Sequence, residues 1–385
     1  MSTTTPHVPA RDRSRQQIYD LILERGAATR TDLVDATGMS RSAVNSAVNK
    51  LIRDGKATEL APDAKGPGSG SGRPPVTVVP LASGRPVAGL DFGHSHVWVA
   101  IADALGVPLA DRRVRIDVDY QAIGAMDIGA KLLIDLKAEL GITDLQAVVA
   151  GIPGPIDSRT GLVKSPTILA GWVGLSPAAE LGGRLGVDVH VENDAVLGAH
   201  AELRRGAGQH HRNFLYVKAS HGIGAGLVID GRPYTGSTGI AGEIGHTHLP
   251  GNTDLCRCGQ RGCLETAVSV EALRGQLQHT HPHLDVSNLD LSTVTDPIGE
   301  RMLNEAGRTL GRVLADLCNL INPGGVIVGG ELGSSGPAFI EGVRSSIQRY
   351  AQPATAAAIE VRPSTFGIRT ELMGALHLAA GKLSR

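Results

Sequence analysis

Three of the four cysteines in this 385-residue chain lie within eight positions, at Cys256, Cys258 and Cys263, and His246 stands ten residues before the first. Zinc prefers four tetrahedral thiolate and imidazole ligands. Two glycines between Cys258 and Cys263 permit a loop tight enough to bring the thiolates together. Four protein ligands leave no open coordination position. The spacing therefore predicts a structural Zn2+ ion rather than a hydrolytic one.

Two alternatives remain open for the cysteines of this loop. They are either free thiols, or Cys256 and Cys258 form a redox pair, which would require neither Cys263 nor His246. The fourth cysteine, Cys318, lies in an apolar helical stretch and is predicted to be a buried thiol.

Charge is distributed unevenly along the chain, although the formal net charge is only −1. Residues 1–85 contain 12 Lys and Arg against 8 Asp and Glu, a net of +4, and the remainder contains 25 against 30, a net of −5. This asymmetry indicates two different tasks. The first residues, MSTTTPHVPARDRSR, lack the apolar core of a signal peptide, and no apolar run reaches the ~18 residues of a membrane span. We therefore expect a cytoplasmic protein with reduced thiols and no membrane partner.

The elements of the basic part predict a helix-turn-helix. Thr29 is expected to form a capping box with Asp32, and Ser40 to cap the following helix. In that helix, apolar residues recur from Val44 to Ile52 at the spacing of one buried face. The opposite face carries short polar side chains that suit base edges. The residues of this helix predicted to bind DNA are Ser40, Arg41, Ser42, Asn45, Ser46 and Asn49.

A wing is predicted after the third helix. Two short strand patterns, ATEL and VTVVPL, flank a loop rich in Gly, Ser and Pro. Arg73 lies where this loop becomes stiffened by prolines, and it is predicted to enter an A·T-rich minor groove. The alternative is a three-helix structural subdomain followed by a disordered linker. The wing and the basic charge favour DNA binding.

The pattern changes to α/β after residue 86. A three-stranded meander begins with VAGLDFG, and the later strand VDVHVEND delivers Asn193 and Asp194 at its C-terminal end, just before a helix. A similar order of elements recurs, with NFLYVKASHGIGAGLVIDG, a helix at about 296–320, the strand GVIVGG and a final helix at about 372–383. Glycine-bearing strand turns in both halves predict two related lobes that close on a cleft.

These motifs together resemble those of the ROK family, which contains sugar kinases and sugar-responsive repressors. The segments that carry the resemblance are DFG at 91–93, GIPGPID at 151–157, END at 192–194, GIGAG at 222–226, AGEIGH at 241–246 and CRCGQRGCLE at 256–265. The resemblance implies a two-lobed, actin-like (ribonuclease-H-like) domain, and a winged helix ahead of it is typical of the family's regulators. We therefore expect an α/β chain with a winged helix-turn-helix at 1–80, a first lobe at 84–205 completed by a helix at about 370–385, and a second lobe with the zinc loop at 206–369.

The resemblance also implies a sugar site. A metal-bound histidine can offer its second ring nitrogen to a partner, which in sugar-binding family members is a sugar hydroxyl. Carboxylate and amide groups bind vicinal hydroxyls well. The predicted sugar-binding residues are Asn193, Asp194, Glu243, His246 and Glu265. The alternatives are a plain helix N-cap for Asn193 and Asp194 and a solvated surface for the two glutamates.

Both phosphate loops implied by the resemblance depart from the kinase pattern. The residues of these degenerate loops are Asp91, Gly93, Gly222 and Gly224. His94 stands where kinases have a glycine, and we expect its Cβ to disfavour left-handed backbone by roughly 1–2 kcal/mol and to fill space. His221 stands where kinases usually have threonine. We therefore expect sugar binding without efficient phosphoryl transfer, and we do not expect ATP and Mg2+ as cofactors.

The predicted function is a DNA-binding transcription regulator, a repressor, of carbohydrate genes. Its partners would be a double-stranded operator and a sugar or sugar derivative as effector, and it would act as a homodimer or homotetramer on a palindromic site. The alternative is an ATP-dependent, glucokinase-like sugar kinase with Asp194 as the catalytic base. A bifunctional protein lies between the two. The identity of the sugar and the direction of control stay open.

Overall fold

The protein is described by a computed structural model that covers residues 10–25, 27–60, 76–81, 84–157, 159–163, 169–287 and 289–381. It divides into two compact units, Met1–Arg85 and Pro86–Arg385. In the described part of the chain, none of the helices has the length and apolar character needed to cross a membrane.

The first unit is a winged helix. Its elements are the helices α1 (Ala10–Arg25), α2 (Arg30–Thr37) and α3 (Arg41–Arg53), with the strands β1 (Ala28–Thr29), β2 (Ala57–Leu60) and β3 (Thr77–Pro80). The strands form an antiparallel sheet in the order β1-β3-β2. Its core contains fully buried residues from all three helices, such as Ile22, Leu33 and Val48.

The caps of this unit agree with the sequence. The Thr29 side chain accepts a hydrogen bond from the Asp32 amide, and the Asp32 carboxylate accepts one from the Thr29 amide, which completes the capping box. Gly38 ends α2 with a φ of 67°, and Ser40 caps α3. Arg73 lies outside the described residues.

The second unit begins with a five-stranded sheet. Its strands are β4 (Val87–Gly93), β5 (His96–Ala102), β6 (Pro108–Arg115), β7 (Val148–Ile152) and β8 (Val189–Asn193), in the order β6-β5-β4-β7-β8. β4 pairs antiparallel with β5 and parallel with β7. Two helices, α4 (Ala122–Glu139) and α5 (Pro177–Leu185), pack on one face.

A second five-stranded sheet repeats this topology. Its strands are β9 (Phe214–Ala219), β10 (Ile223–Ile229), β11 (Arg232–Tyr234), β12 (Gly325–Gly329) and β13 (Glu360–Pro363), in the order β11-β10-β9-β12-β13. The remaining helices are α6 (Asp194–Arg205), α7 (Leu264–Val268), α8 (Val270–Thr280), α9 (Pro297–Ile321), α10 (Gly330–Gly333), α11 (Pro337–Tyr350), α12 (Pro353–Ala358) and α13 (Thr370–Gly381). The repeated strand order confirms the expected pair of related lobes.

Helices α6 and α13 pack together beside both sheets. Residues of α13 and α6 form one apolar cluster with β4 and β5, and other residues of α6 pack against β9 and β10. The two helices approach so closely that a Cβ on Gly374 would lie 1.9 Å from the carbonyl oxygen of Leu197. Only glycine fits there. This crossing fixes the start of α6, and therefore Asp194, between the two lobes.

Candidate functional site

The four predicted metal ligands lie together. The ligand atoms of His246, Cys256, Cys258 and Cys263 are all within 4.8 Å of one another. The distance from Cys256 Sγ to His246 Nδ1 is 3.7 Å, and that from Cys258 Sγ to Cys263 Sγ is also 3.7 Å. A tetrahedron with Zn–S bonds of ~2.3 Å and a Zn–N bond of ~2.0–2.1 Å has S···N and S···S edges of about 3.6 and 3.8 Å. The donor set therefore suits a tetrahedral metal ion, and these two of the six ligand-to-ligand distances match its edges.

Local backbone bonds and glycines build the predicted metal-binding loop, residues 256–263. The Cys256 amide donates to the carbonyl of Gln260 at 2.8 Å, and residue pairs on either side of the turn form short antiparallel bridges. Gly262 has a φ of 78°, and a Cβ on it would lie 2.5 Å from the carbonyl oxygen of Asn252. A side chain at this position would therefore push Cys263 out of the cluster.

The thiols of Cys256 and Cys263 are shielded from water, and Cys258 is half-buried. Burial raises the pKa of the Cys263 thiol to about 12, with hydrogen bonds to its neighbours Cys258 and Cys256 acting in the same direction. Burial also raises the pKa of Cys256. Without a cation these groups stay protonated thiols, whereas a bound divalent cation would stabilise the thiolates. All four cysteines are free of disulfides.

The carboxylates of the predicted sugar cradle converge beside this loop. Burial, together with the nearby charges of Asp194 and Glu265, raises the pKa of Glu243 to about 7. Glu243 also lies 3.8 Å from Nε2 of His246, the ring nitrogen that points away from Cys256. Glu265 Oε2 accepts a hydrogen bond from the Ile223 amide at 3.1 Å. Three acids and one imidazole thus lie near one another, and their contact with a sugar stays a prediction.

Asn193 is engaged differently from the other cradle residues. Its Oδ1 accepts from the Val196 amide at 3.2 Å, which makes it the N-cap of α6. Its Nδ2 donates to the carbonyl of Gly154 at 3.1 Å. The side chain therefore has the structural role that was the alternative for this residue, and its contact with a sugar stays a prediction.

Asp194 has a partner that the sequence motifs did not indicate. Its Oδ2 accepts a hydrogen bond from Lys218 Nζ at 2.5 Å, and its Oδ1 accepts from the amide of Ala195 at 2.6 Å. Both side chains are buried, with 8% of Asp194 and 11% of Lys218 exposed. Although burial opposes it, the negative charge of Asp194 and its neighbours raises the pKa of Lys218 well above its usual value. The pair is therefore a buried ion pair.

The two imidazole rings at the predicted phosphate loops lie near each other. His94 Nδ1 lies 2.6 Å from Asp119 Oδ1, and the rings of His94 and His221 have centroids 6.3 Å apart. Nε2 of His94 lies 3.1 Å from the place where a Cβ on Gly222 would stand. His94 does not adopt the left-handed backbone that its Cβ disfavours, because the non-glycine residues with positive φ in the described ranges are Asp230 and Asn322. The His94 ring fills space beside both glycine loops.

A second ion pair connects the metal-binding loop with the first lobe. Arg257, which lies between two of the cysteines, donates from Nη1 to Asp119 Oδ2 at 2.6 Å. Asp119 lies in the connection from β6 to α4, and His94 holds its other oxygen. The two partners are 138 residues apart in sequence, so no local motif indicates this contact.

The polar face of α3 is exposed in the first unit. All six residues predicted there to bind DNA are exposed. Arg30, which the motif did not include, donates to Asn45 Oδ1 at 2.9 Å and to Asn49 Oδ1 at 2.7 Å. It also contacts Glu59 of the wing strand β2. Arg30 therefore orients both amides on the face that was predicted to contact bases.

Comparison with known families agrees with this arrangement. The ROK family profile matches residues 87–382, and the profile of a winged helix-turn-helix DNA-binding domain matches residues 11–57. The chain belongs to the ROK family. The xylose repressor of Bacillus spizizenii is 28% identical to this ROK chain over 356 residues, which cover 92% of the chain and 91% of the repressor.

Solved structures give the same fold. The crystal structure of a ROK family transcriptional regulator, a homologue of the Escherichia coli MLC protein, has a TM-score of 0.70 at 23% identity and covers 97% of this ROK chain and 96% of its own. A ROK family glucokinase from Streptomyces griseus in complex with glucose and AMPPNP has a TM-score of 0.68 at 26% identity. It covers 77% of this chain and 99% of its own. The regulator thus matches both units, whereas the kinase matches about three quarters of the chain.

Proposed function

We propose that this ROK protein is a transcription regulator of carbohydrate genes that binds operator DNA and responds to a sugar. The observation that carries the proposal is the joining, in one chain, of a winged helix-turn-helix with a ROK domain. The proximity of the predicted cradle acids and the imidazoles at the predicted phosphate loops support it. The similarity to a xylose repressor over 92% of the chain supports a repressor. The domain boundaries at 80, 84, 205 and 369 stay predictions.

The DNA-binding part of the proposal rests on α3. Its exposed face carries amides, hydroxyls and Arg41, which are groups that can bond base edges and phosphates. Arg73 would add a minor-groove contact. We propose a homodimer or homotetramer, since paired winged helices would match a palindromic operator.

The sugar would bind at the cradle of Asp194, Glu243, His246 and Glu265. Charged carboxylates are strong acceptors for sugar hydroxyls. His246, Cys256, Cys258 and Cys263 would hold a structural Zn2+, which supplies no chemistry beyond fixing the loop and the His246 ring. With Nδ1 facing the cysteines, Nε2 of His246 remains on the side of Glu243. The effector class is therefore a neutral aldose or a derivative of one.

Sugar-dependent operator binding tests this proposal. A fluorescently labelled duplex from the gene's own promoter region would be titrated with zinc-loaded protein, with and without D-xylose, D-glucose or N-acetylglucosamine. We expect one sugar to change operator affinity, and the operator to change the affinity for that sugar by the same factor. Glu265→Gln should lose the response while keeping DNA binding, and the exposed control Glu139→Gln should keep both. Unchanged operator affinity across the sugar panel contradicts the proposal.

Sugar phosphorylation is the second candidate function, in which Asp194 would be the catalytic base, because a ROK family glucokinase has a similar fold. A coupled ADP-release assay with the same sugars and MgATP discriminates the two. Turnover near ~10 s⁻¹, the median for enzymes, that disappears in Asp194→Ala would establish the kinase. We expect no turnover above the rate of that variant.

A further inference from the structure

Lys218 is a buried lysine at the end of the central strand of the second sheet. Alternate residues of β9 point to opposite faces, so that Phe214 and Tyr216 pack with the cluster that includes α6 residues, whereas Leu215 and Val217 pack in the core on the other face. Lys218 shares the face of Tyr216 and is buried. Its ammonium is thereby directed toward the helices at the junction of the two lobes.

Three buried carboxylates surround this ammonium. They come from three separate elements, with Asp91 on β4, Asp194 at the start of α6 and Glu371 at the start of α13. All three are buried. Lys218 Nζ is 2.5 Å from Asp194 Oδ2, and the charges of Glu371 and Asp91 also act on it. Glu371 accepts a further hydrogen bond from the Tyr216 hydroxyl at 2.6 Å.

One oxygen of this group is left without a partner. Asp91 Oδ2 lies 3.1 Å from His96 Nε2, but Asp91 Oδ1 is buried and has no hydrogen-bond partner within the described residues. Burial raises the pKa of Glu371 to about 7, against the lowering effect of Lys218. The hydrogen bonds within the cluster therefore leave part of its carboxylate oxygens without a donor. Buried carboxylates of this kind need a cation close by, and they are also the ligands that Mg2+ and Mn2+ prefer.

We propose that the Lys218 ammonium is a built-in cation that fills the carboxylate cluster of Asp91, Asp194 and Glu371 and thereby excludes a divalent metal ion from it. The lysine is fixed by the sheet, so its charge is always present and needs no exchange with solvent. It also occupies Asp194 Oδ2, which leaves that carboxylate an acceptor of hydrogen bonds rather than a proton acceptor. Lys218 thus determines which cations the carboxylate cluster in the interlobe cleft can bind.

Mn2+ alone, titrated into zinc-saturated full-length protein, provides the test. Free Mn2+ is measured by its electron paramagnetic resonance signal, and zinc retains its own site because Mn2+ is the weaker ion for such ligands. We expect the wild type and Lys218→Arg to bind no Mn2+ at this cluster. Lys218→Met, which keeps the length of the side chain without its charge, should bind one Mn2+ per chain at least tenfold more tightly than the wild type.

Two double variants complete the design. Lys218→Met with Glu371→Gln removes one charge of each sign, so it should fold even if the single variant does not, and it should still bind one Mn2+. Lys218→Met with Asp194→Asn should bind none. The proposal is overturned if the wild type already binds Mn2+ as tightly as Lys218→Met does, or if both Lys218→Met and its double variant with Glu371→Gln fold and bind no more Mn2+ than the wild type. Neither outcome depends on operator binding or on a sugar, so the result is separate from the proposed regulatory function.

Discussion

The ion pair between Arg257 and Asp119 joins the metal-binding loop to the first lobe, and its contribution can be measured. The Arg257 side chain is 37% exposed and that of Asp119 is 8% exposed. Exposed pairs contribute ~0.2–1 kcal/mol, whereas breaking a buried pair costs ~3–5 kcal/mol. With one partner buried and the other partly solvated, we expect a coupling free energy of about 2 kcal/mol.

A double-mutant cycle with Arg257→Gln and Asp119→Asn measures the coupling free energy of this ion pair. Urea unfolding followed by tryptophan fluorescence reports on the ROK domain, because both tryptophans of the chain, Trp98 and Trp172, lie in its first lobe. The matched control is the exposed pair of Arg112 and Glu139, which has a similar separation of 2.9 Å but side chains that are 50% and 56% exposed.

The pH dependence of the coupling follows from the carboxylate. Although burial opposes it, the hydrogen bond from His94 and the charges of His94 and Arg257 lower the pKa of Asp119. Its stabilisation is therefore complete above the ordinary aspartate pKa of about 3.9 and is lost as the pH falls through the lower folded value. A coupling at pH 7 no larger than that of the control pair would refute the reasoning.

Three further predictions concern the metal, the DNA and the protonation of the core. Cys258→Ser should lose bound zinc, measured by plasma mass spectrometry, together with the sugar response, whereas the buried thiol variant Cys318→Ser should keep the zinc. Asn45→Ala should weaken operator binding by ~1–3 kcal/mol in anisotropy titrations if the amide reads a base, and Arg73→Ala should weaken it without changing sugar affinity; a loss of both would mean a structural role for Arg73. Burial lowers the pKa of His377 from 6.5 to about 3, so stability should fall as the pH drops below 6.5, by up to ~1.4 kcal/mol per pH unit. His377→Phe should reduce that slope between pH 7.5 and 5 in urea unfolding, and an unchanged slope would contradict this account.

Much of the architecture can be predicted from patterns among residues that are near one another in sequence. The capping box of Thr29 and Asp32 depends on residues three positions apart, so the sequence alone predicts it. The strand that ends at Asn193 is likewise evident from the sequence, because valines alternate with polar residues in it. The cysteine spacing predicted a cluster that the fold does assemble, because the loop closes through bonds between residues near in sequence.

The contacts that join distant segments were not predictable in this way. Lys218 stands in a strand with a hydrophobic pattern, and nothing beside it in sequence shows that Asp194 lies 2.5 Å away. The bridge from Arg257 to Asp119 likewise requires the two lobes to be folded and packed. The role of Arg30 was missed because its partners, Asn45 and Asn49, belong to the next helix. Each case depends on tertiary packing, which a local pattern does not contain.

The contact of Gly374 with the Leu197 carbonyl bears on how the two lobes can move. Where helices touch through side chains, they can slide by repacking those side chains. At this crossing the backbones touch directly, so there is no deformable layer along which α6 and α13 could shift. We therefore expect opening of the cleft to be a hinge rotation about this point, with displacements that grow with distance from it.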